Sequence, residues 1–220
     1  VASGMLPAAH ASDGGGSIRI PAAMCGLVGL KPSRGRISQS PKEEWSFSCQ
    51  HVVSHTVRDT AAILDATAIP FRGDGVVAPD HGRPYAGCVD TDPGRLRIGL
   101  MPDNHRLETH PDCEAATRRT ADLLTGLGHE VVESRPEAFL HLGDLQEMAW
   151  AFTVNWSATA VVSLVTLGEQ LGRTVTADDV EPGTWAMAEL GKGYTAPDYI
   201  RSQGILGGWR RSMASWWSNF

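Results

Sequence analysis

The sequence has little of what several classes of protein require. Its four cysteines, Cys25, Cys49, Cys88 and Cys113, include no Cys-x-x-Cys pair, which excludes a zinc knuckle and a dithiol redox motif. No uninterrupted apolar run approaches the roughly 18 residues of a transmembrane segment, so we expect no membrane-spanning helix. No basic segment precedes an apolar one at the start, as a signal peptide requires. We therefore expect reduced thiols and a cytoplasmic location.

Positive charge is also scarce. Lysine and arginine total 19 against 25 acidic residues, and the net charge of -6 argues against binding to nucleic acid or to an anionic membrane. Hydrophobic residues make up 42% and charged residues 20%, which is the composition of a folded domain. A chain of 220 residues can bury a core without disulfides or metal. Glycine, with 24 residues, is the type in excess.

Both ends lack the usual features of natural termini. The chain begins at Val1 without an initiator methionine, and Trp216, Trp217 and Phe220 lie among its last five residues. Chain ends are usually frayed and polar, and nothing further along the chain could cover these aromatic side chains. We expect both ends to be cuts within a longer protein. The alternative is a processed N-terminus with a buried C-terminal helix.

Local patterns predict an order of elements. Residues 1–40 favour buried strands and turns around a glycine cluster. A helix over 56–68 is indicated by Thr56 as its cap and Asp59 at position N3. Residues 69–94, rich in glycine and proline, predict a long surface loop. Strand, helix and strand over 96–101, 111–127 and 129–134 form a βαβ unit, so these strands should be parallel.

Beyond Gly143 the chain is predicted to be mostly helical, over 145–171, 181–190 and 195–220. Six tryptophans fall in this half. We expect most of them to be core residues, with the lining of an apolar pocket as the alternative. They are Trp150, Trp156, Trp185, Trp209, Trp216 and Trp217.

The densest chemical signal is the segment Ala-Ser-Asp-Gly-Gly-Gly-Ser-Ile-Arg over residues 11–19. Three consecutive glycines let several N–H groups point into one space, and Ser17 can present its hydroxyl there. A nucleophile beside oxyanion donors is what acyl transfer needs. An ion pair between Asp13 and Arg19 could hold the turn. The alternative is a glycine-rich bend that serves close packing alone.

Other readings of this and neighbouring segments are weaker. The glycine spacing fits neither a dinucleotide-binding nor a Walker loop, and Arg19 stands where the esterase elbow needs glycine. His51 and His55 have the spacing of a helical zinc pair, but Val52 and Val53 between them favour a strand. His10 could serve as a base for Ser17, although a structural role is the commoner one for such a histidine.

Residues 14–38, GGGSIRIPAAMCGLVGLKPSRGRIS, resemble the glycine- and serine-rich core of the amidase signature family. The segment HVVSHTVRDTAAILDA over 51–66 and the unit over 96–134 are similar to later parts of that family. Residues 9–11 and 181–186 look closest to its subgroup of 6-aminohexanoate cyclic-dimer hydrolase-like amidases. The resemblance covers nearly the whole chain.

This resemblance implies an α/β fold with a twisted mixed β-sheet flanked by helices on both faces, incomplete here. It places residues 1–220 in a single amidase domain truncated at both ends. Within it, 1–68 would be the catalytic core segment and 69–94 a loop. Residues 95–220 would hold the βαβ unit and a helical region on the substrate side.

The resemblance also implies roles for six residues. The family hydrolyses carboxamides by a Ser–cis-Ser–Lys mechanism that uses neither a metal nor an organic cofactor. In this chain the matching residues are a nucleophile, Ser17; an oxyanion hole, formed with Ser17 by the amides of Gly14, Gly15 and Gly16; and two structural supports, Asp13 and Arg19.

The sequence departs from the family pattern in its proton relay. The family's bridging serine lies in a Gly-Ser-Ser-Gly-Gly stretch before the core, and its lysine lies further upstream; neither is found here. Lys31 and Lys42 are the only lysines in the first half of the chain, and Lys31 matches a lysine that follows the core. We therefore expect little amidase activity from these 220 residues alone.

We expect the partner of the complete protein to be a small-molecule amide substrate, with no nucleic acid and no membrane. A homodimer is one assembly compatible with the sequence, which does not fix the oligomeric state. Two alternatives remain open: an amidotransferase subunit that delivers ammonia to a partner, and a non-catalytic family member that acts as a binding protein.

Overall fold

The computed structural model describes residues 1–39, 48–103, 108–139 and 142–220. The chain divides into two compact units, Val1–Asp92 and Pro93–Phe220. Each unit contains both strands and helices, which confirms the α/β class. The described strands form a three-stranded antiparallel sheet in the first unit and a two-stranded parallel sheet in the second.

The first unit is built on strands β1 (Ala8–Asp13), β2 (Val28–Gly29) and β3 (Cys49–Ser54), in the order β1-β3-β2. β3 pairs antiparallel with both neighbours, which places Asp13 opposite Cys49 and Val28 opposite Ser54. Val52 and Val53, between His51 and His55, therefore lie in strand β3, as their β-branched side chains predict.

Two helices complete this unit, α1 (Arg19–Met24) and α2 (Val57–Thr67). α2 begins as predicted, because the Thr56 side chain accepts a hydrogen bond from the Asp59 amide at 3.0 Å. α1 was not predicted. It is only six residues long and has no capping side chain, so the local sequence carries little signal for it.

The expectation that residues 1–40 are buried is wrong in part. The side chains of Met5, Leu6, Ile20 and Met24 are exposed, although Ile18 and Ala22 are fully or nearly fully buried. Within α1, Ile20 and Met24 are exposed and Ala22 is buried because the helix presents only one face to the sheet. On that face Ala22 packs against Gly29. A Cβ atom on Gly29 would lie 2.5 Å from that of Ala22, so this contact requires glycine.

The predicted loop over 69–94 contains one short 3₁₀ turn, Ala86–Cys88, and is otherwise irregular. α2 anchors this turn, because the Asp65 carboxylate accepts hydrogen bonds from the amides of Tyr85 at 2.6 Å and Ala86 at 2.9 Å. The loop is therefore attached to a helix at its middle and is not free along its length.

The second unit opens with the predicted βαβ arrangement: β4 (Arg97–Leu100), α3 (Pro111–Gly126) and β5 (Glu130–Glu133). The two strands are parallel, which confirms the prediction. The chain end packs onto them. The Trp216 indole lies against Gly99, where a Cβ atom would come within 2.9 Å of the ring, and its Nε1–H donates to Ser134 Oγ at 2.9 Å.

Three helices follow, α4 (Leu142–Leu171), α5 (Pro182–Gly191) and α6 (Ala196–Trp217), and they confirm the predicted helical half. α4 packs on both of the others. Its buried Asn155 joins it to α6 by a 2.7 Å hydrogen bond from Nδ2 to Ser202 Oγ. Pro182 and Pro197 lie in the first turns of α5 and α6, where a missing N–H leaves no bond unmade.

Two expectations for this half need correction. The segment Leu145–Leu171 of α4 is long and apolar enough to cross a membrane, by length and composition only. Polar residues interrupt this helix, so the sequence holds no uninterrupted apolar run of that length. The core helix of a soluble protein can have the same length and composition. None of the six tryptophans of this half is fully buried, and Trp156 and Trp217 are exposed.

Candidate active site

The glycine turn connects the end of β1 at Asp13 to the start of α1 at Arg19. Gly16 has a φ of +127°, a backbone conformation that side chains disfavour. The Gly16 carbonyl accepts a hydrogen bond from the Ile20 amide at 2.8 Å, which begins the first helical turn. Ile18, with no exposed surface, anchors the turn in the core. The turn is therefore fixed by glycine geometry at one residue and by burial at another.

Asp13 holds the turn from inside. Its fully buried carboxylate accepts hydrogen bonds from the amides of Gly16 at 2.6 Å and Ile18 at 3.2 Å. The Arg19 guanidinium donates to both of its oxygens, from Nε at 2.8 Å and from Nη2 at 3.0 Å. The arginine, followed by the backbone amides, holds the pKa of Asp13 well below its ordinary value. The ion pair considered from the sequence is present and bidentate.

Ser17 stands on the outer side of this turn and is exposed. Within the described part of the chain, its hydroxyl has no hydrogen-bond partner. The amides of Gly14, Gly15 and Ser17 likewise donate to no acceptor among those residues, whereas the Gly16 amide is bonded to Asp13. Of the amides suggested by the family resemblance, the geometry thus disfavours Gly16 and leaves those of Gly14, Gly15 and Ser17 as donors to a ligand oxygen.

The candidate base His10 and the lysine that follows the core, Lys31, are both engaged elsewhere. His10 Nε2 lies 3.0 Å from Gln50 Oε1 on the neighbouring strand β3. Lys31 Nζ donates to the Pro32 carbonyl at 2.7 Å and lies 3.6 Å from Cys49 Sγ. Neither is hydrogen-bonded to Ser17 in the described structure, so the hydroxyl has no proton acceptor there. Lys42 lies outside the described residues.

Sequence reasoning missed the environment of His51. This histidine is buried in β3, and neither ring nitrogen has a hydrogen-bond partner among the described residues. Burial, the larger cause, lowers its pKa from the ordinary value of 6.5, and the neighbouring Thr60 backbone opposes part of this shift. Cys49 and His51 are both buried on the same face of β3, and the β-branched Val52 and Val53 were the sequence signal for that strand.

The second unit contains a separate groove of about 500 Å³ between α4, α5 and the segment that joins them. Trp185 lines it, so pocket lining describes this tryptophan better than a core position does. Both basic residues that line the groove are already paired: Arg173 binds both oxygens of Asp179, at 2.7 and 2.8 Å, and Lys192 Nζ lies 2.6 Å from Glu189. The other lining side chains are mainly aliphatic.

Comparison with known proteins identifies the class to which this fold and turn belong. The amidase family model matches residues 1–194. The chain therefore belongs to the amidase family, which confirms the resemblance seen in the sequence.

Particular relatives refine this placement. The chain is 37% identical over 224 residues to a 6-aminohexanoate-cyclic-dimer hydrolase of Pseudomonas sp. (strain NK87), a match that covers 99% of this chain and 45% of that protein. It is 39% identical over 184 residues to a putative amidase of Mycobacterium tuberculosis, covering 81% and 36%. The chain thus spans less than half the length of these curated relatives.

Solved structures of amidases have the same fold as this chain. The structure of a 6-aminohexanoate cyclic dimer hydrolase superposes with a TM-score of 0.90 at 32% identity, covering 100% of this chain and 46% of that one. A bacterial aryl acylamidase of the amidase signature family superposes with a TM-score of 0.87 at 21% identity, covering 100% and 45%, which is evidence for the fold alone.

Proposed function

We propose that the complete protein hydrolyses a carboxamide C–N bond through an acyl-enzyme intermediate on Ser17. The observation that carries this proposal is the exposed Ser17 hydroxyl beside turn amides that donate to no acceptor among the described residues, on a turn held by the bidentate ion pair of the buried Asp13 carboxylate with Arg19. Ser17 Oγ would attack the amide carbon, and the oxyanion would be stabilised by the turn amides other than that of Gly16. Protonation of the nitrogen would release the amine, and water would then hydrolyse the ester.

The proton relay is the part of this mechanism that the described residues do not supply. A serine hydroxyl is a weak nucleophile near neutral pH, and a general base contributes about 10²–10⁴-fold. Because the chain spans 45% of the length of its hydrolase relative, we propose that the base and the bridging serine come from residues outside these 220. The 220-residue chain alone should then show little or no amide turnover.

The substrate class follows from the relatives. Two of the similar curated proteins are named for hydrolysis of the cyclic dimer of 6-aminohexanoate. We propose a small linear or cyclic carboxamide as substrate, and the cyclic dimer is the first compound to test.

The test compares Ser17→Ala with Ser12→Ala, a matched control at an exposed serine five residues away. In a longer protein that contains this segment, Ser17→Ala should lower kcat/KM for amide hydrolysis by at least about 10³-fold, and Ser12→Ala should leave it nearly unchanged. Incubation with an activated aryl ester should add one acyl group to the wild type and none to Ser17→Ala, as read by intact mass. Equal acylation of both variants would exclude Ser17 as the nucleophile.

Assay of the 220-residue chain itself separates the two parts of the proposal. Robust amide turnover that Ser17→Ala abolishes would disprove an external relay while keeping the nucleophile. Full activity of Ser17→Ala in the longer protein would disprove the nucleophile whatever the origin of the base.

A further inference from the structure

The four cysteines of the chain are all free thiols, but they occupy different environments. Cys25 and Cys113 are exposed, Cys49 is buried, and Cys88 is half-buried. If exposure alone governed thiol chemistry, Cys25 and Cys113 would react first and Cys88 would lag behind them. The surroundings of Cys88 predict the opposite order.

Cys88 lies beside an imidazole. Its Sγ is 3.4 Å from His81 Nε2, within hydrogen-bond reach for a sulfur atom. The same sulfur lies 3.5 Å from the Pro84 carbonyl oxygen, which competes with the imidazole for the single thiol hydrogen. The described structure holds no comparable imidazole contact for Cys25, Cys49 or Cys113. A thiol beside a proton acceptor is the arrangement that produces a nucleophilic thiolate.

The imidazole is itself oriented. The rings of His81 and Tyr85 stack with their centroids 4.5 Å apart and an angle of 8° between their planes. Tyr85 is fixed in turn, because its amide donates to Asp65 on α2 at 2.6 Å. The nucleophile, Cys88, thus lies in the Ala86–Cys88 turn, and the base, His81, and its orienting group, Tyr85, lie in the residues just before it.

The loop that carries the pair is fastened on its other side as well. The Arg36 guanidinium donates to the Pro79 carbonyl at 2.6 Å and lies over the Tyr85 ring. The Ala78 amide donates to the Gly35 carbonyl at 2.9 Å, and a Cβ atom on Gly35 would lie only 2.6 Å from the Val76 carbonyl oxygen. The nearby carboxylates are occupied by backbone amides, Asp65 as described and Asp80 by Gly82 at 3.1 Å.

We propose that Cys88 and His81 form a reactive thiol–imidazole pair, a modification site for small soft electrophiles and peroxides. The S–H bond breaks, the proton moves to His81 Nε2, and the thiolate attacks. With an alkyl halide, an S–C bond forms and halide leaves. With hydrogen peroxide, an S–O bond forms, the O–O bond breaks, and the departing hydroxide takes the proton from the imidazolium as water, leaving a sulfenic acid.

The test measures the alkylation rate of each cysteine in the folded chain with limiting iodoacetamide at pH 7, by peptide mass mapping. Cys88 should react about tenfold faster than Cys25 or Cys113, because of the imidazole, although it is less exposed than either. His81→Gln should remove this advantage and leave the rates of Cys25 and Cys113 unchanged. His55→Gln, at an exposed histidine of the same unit, is the matched control and should change none of the rates.

Two results would overturn the proposal: a Cys88 rate no greater than those of Cys25 and Cys113, or an undiminished Cys88 rate in His81→Gln. Loss of folding is excluded as a cause when Cys49 stays unreactive in that variant, because Cys49 is buried only in the folded chain. With hydrogen peroxide followed by dimedone, the adduct should fall on Cys88 in the wild type. Dimedone labelling distributed by exposure, with Cys25 and Cys113 first, would also contradict the pair.

Discussion

The two units bury different kinds of polar group. The first buries the carboxylate of Asp13 and the imidazole of His51, together with the thiol of Cys49 and the neutral hydroxyls of Ser54 and Thr60. In the second, the buried polar side chains within the described ranges are neutral: Asn155, Ser157 and Ser202. These neutral groups are satisfied by ordinary hydrogen bonds within and between helices, as in the 2.7 Å bond from Ser157 Oγ to the Thr153 carbonyl.

A second carboxylate shows what burial changes. Asp179 has almost the same partners as Asp13: an arginine fork from Arg173 at 2.7 and 2.8 Å, and a backbone amide, that of Thr176, at 2.8 Å. These partners lower its pKa in the same direction. It lies on the surface, however, where water can replace any partner that is lost. The chemistry of the two sites is alike, and the cost of disturbing them should differ.

The largest expected effect tests this contrast directly. Asp13→Asn should lower the free energy of unfolding of the first unit by on the order of 3 kcal/mol, because three amides and the Arg19 guanidinium lose a buried anionic acceptor. Asp179→Asn should cost much less. The measurement is urea unfolding combined with peptide-level hydrogen exchange, which separates the two units.

Exchange should rise in peptides over residues 8–24 for Asp13→Asn and stay near wild type in those over 93–220. Similar losses of stability in Asp13→Asn and Asp179→Asn would mean that burial is not what distinguishes the two sites.

The first unit also shows what a sequence can and cannot predict. The Thr56 cap and the strands and helix of the βαβ unit were predictable, because the signals for each element lie within a few residues of one another. The Asp13–Arg19 pair followed from its place around the turn. The bond that takes the Gly16 amide away from the oxyanion site and the burial of His51 were not predictable, because they depend on three-dimensional placement. Short α1, without a cap, gave no local signal.

A smaller effect is expected from the backbone of the turn. Gly16→Ala should destabilise the first unit by about 1–2 kcal/mol, because its φ of +127° is disfavoured for alanine and a Cβ atom would lie 2.5 Å from Ile20 Cδ1. Gly204→Ala in α6 is the control, for which we expect a change in stability of opposite sign. It has open space around it and should stabilise the second unit by about 0.5–1 kcal/mol. Thermal unfolding of both variants checks the pair; equal shifts in one direction would contradict the analysis.

The smallest effect concerns pH and should be confined to the unit that buries ionisable groups. Burial lowers the pKa of His51 from 6.5, so between its folded pKa and 6.5 the unfolded chain binds more protons than the folded one. The free energy of unfolding should therefore be highest above about pH 7 and decline as the pH falls below 6.5. Asp13 does not contribute in this window, because its pKa lies below the ordinary 3.8 and its stabilisation is lost only under stronger acid.

Hydrogen exchange at pH 5.5 and 7.5, corrected for intrinsic rates, should show β3 and α2 losing protection at the lower pH, and the α4–α6 helices should lose none from this cause. His51→Phe should flatten the dependence, and His55→Gln should leave it unchanged. A decline of equal size in both units would mean that surface charge, and not the buried imidazole, sets the response to pH. A decline restricted to the first unit would mean that its stability depends on its buried ionisable groups, one of which, Asp13, also holds the turn around Ser17.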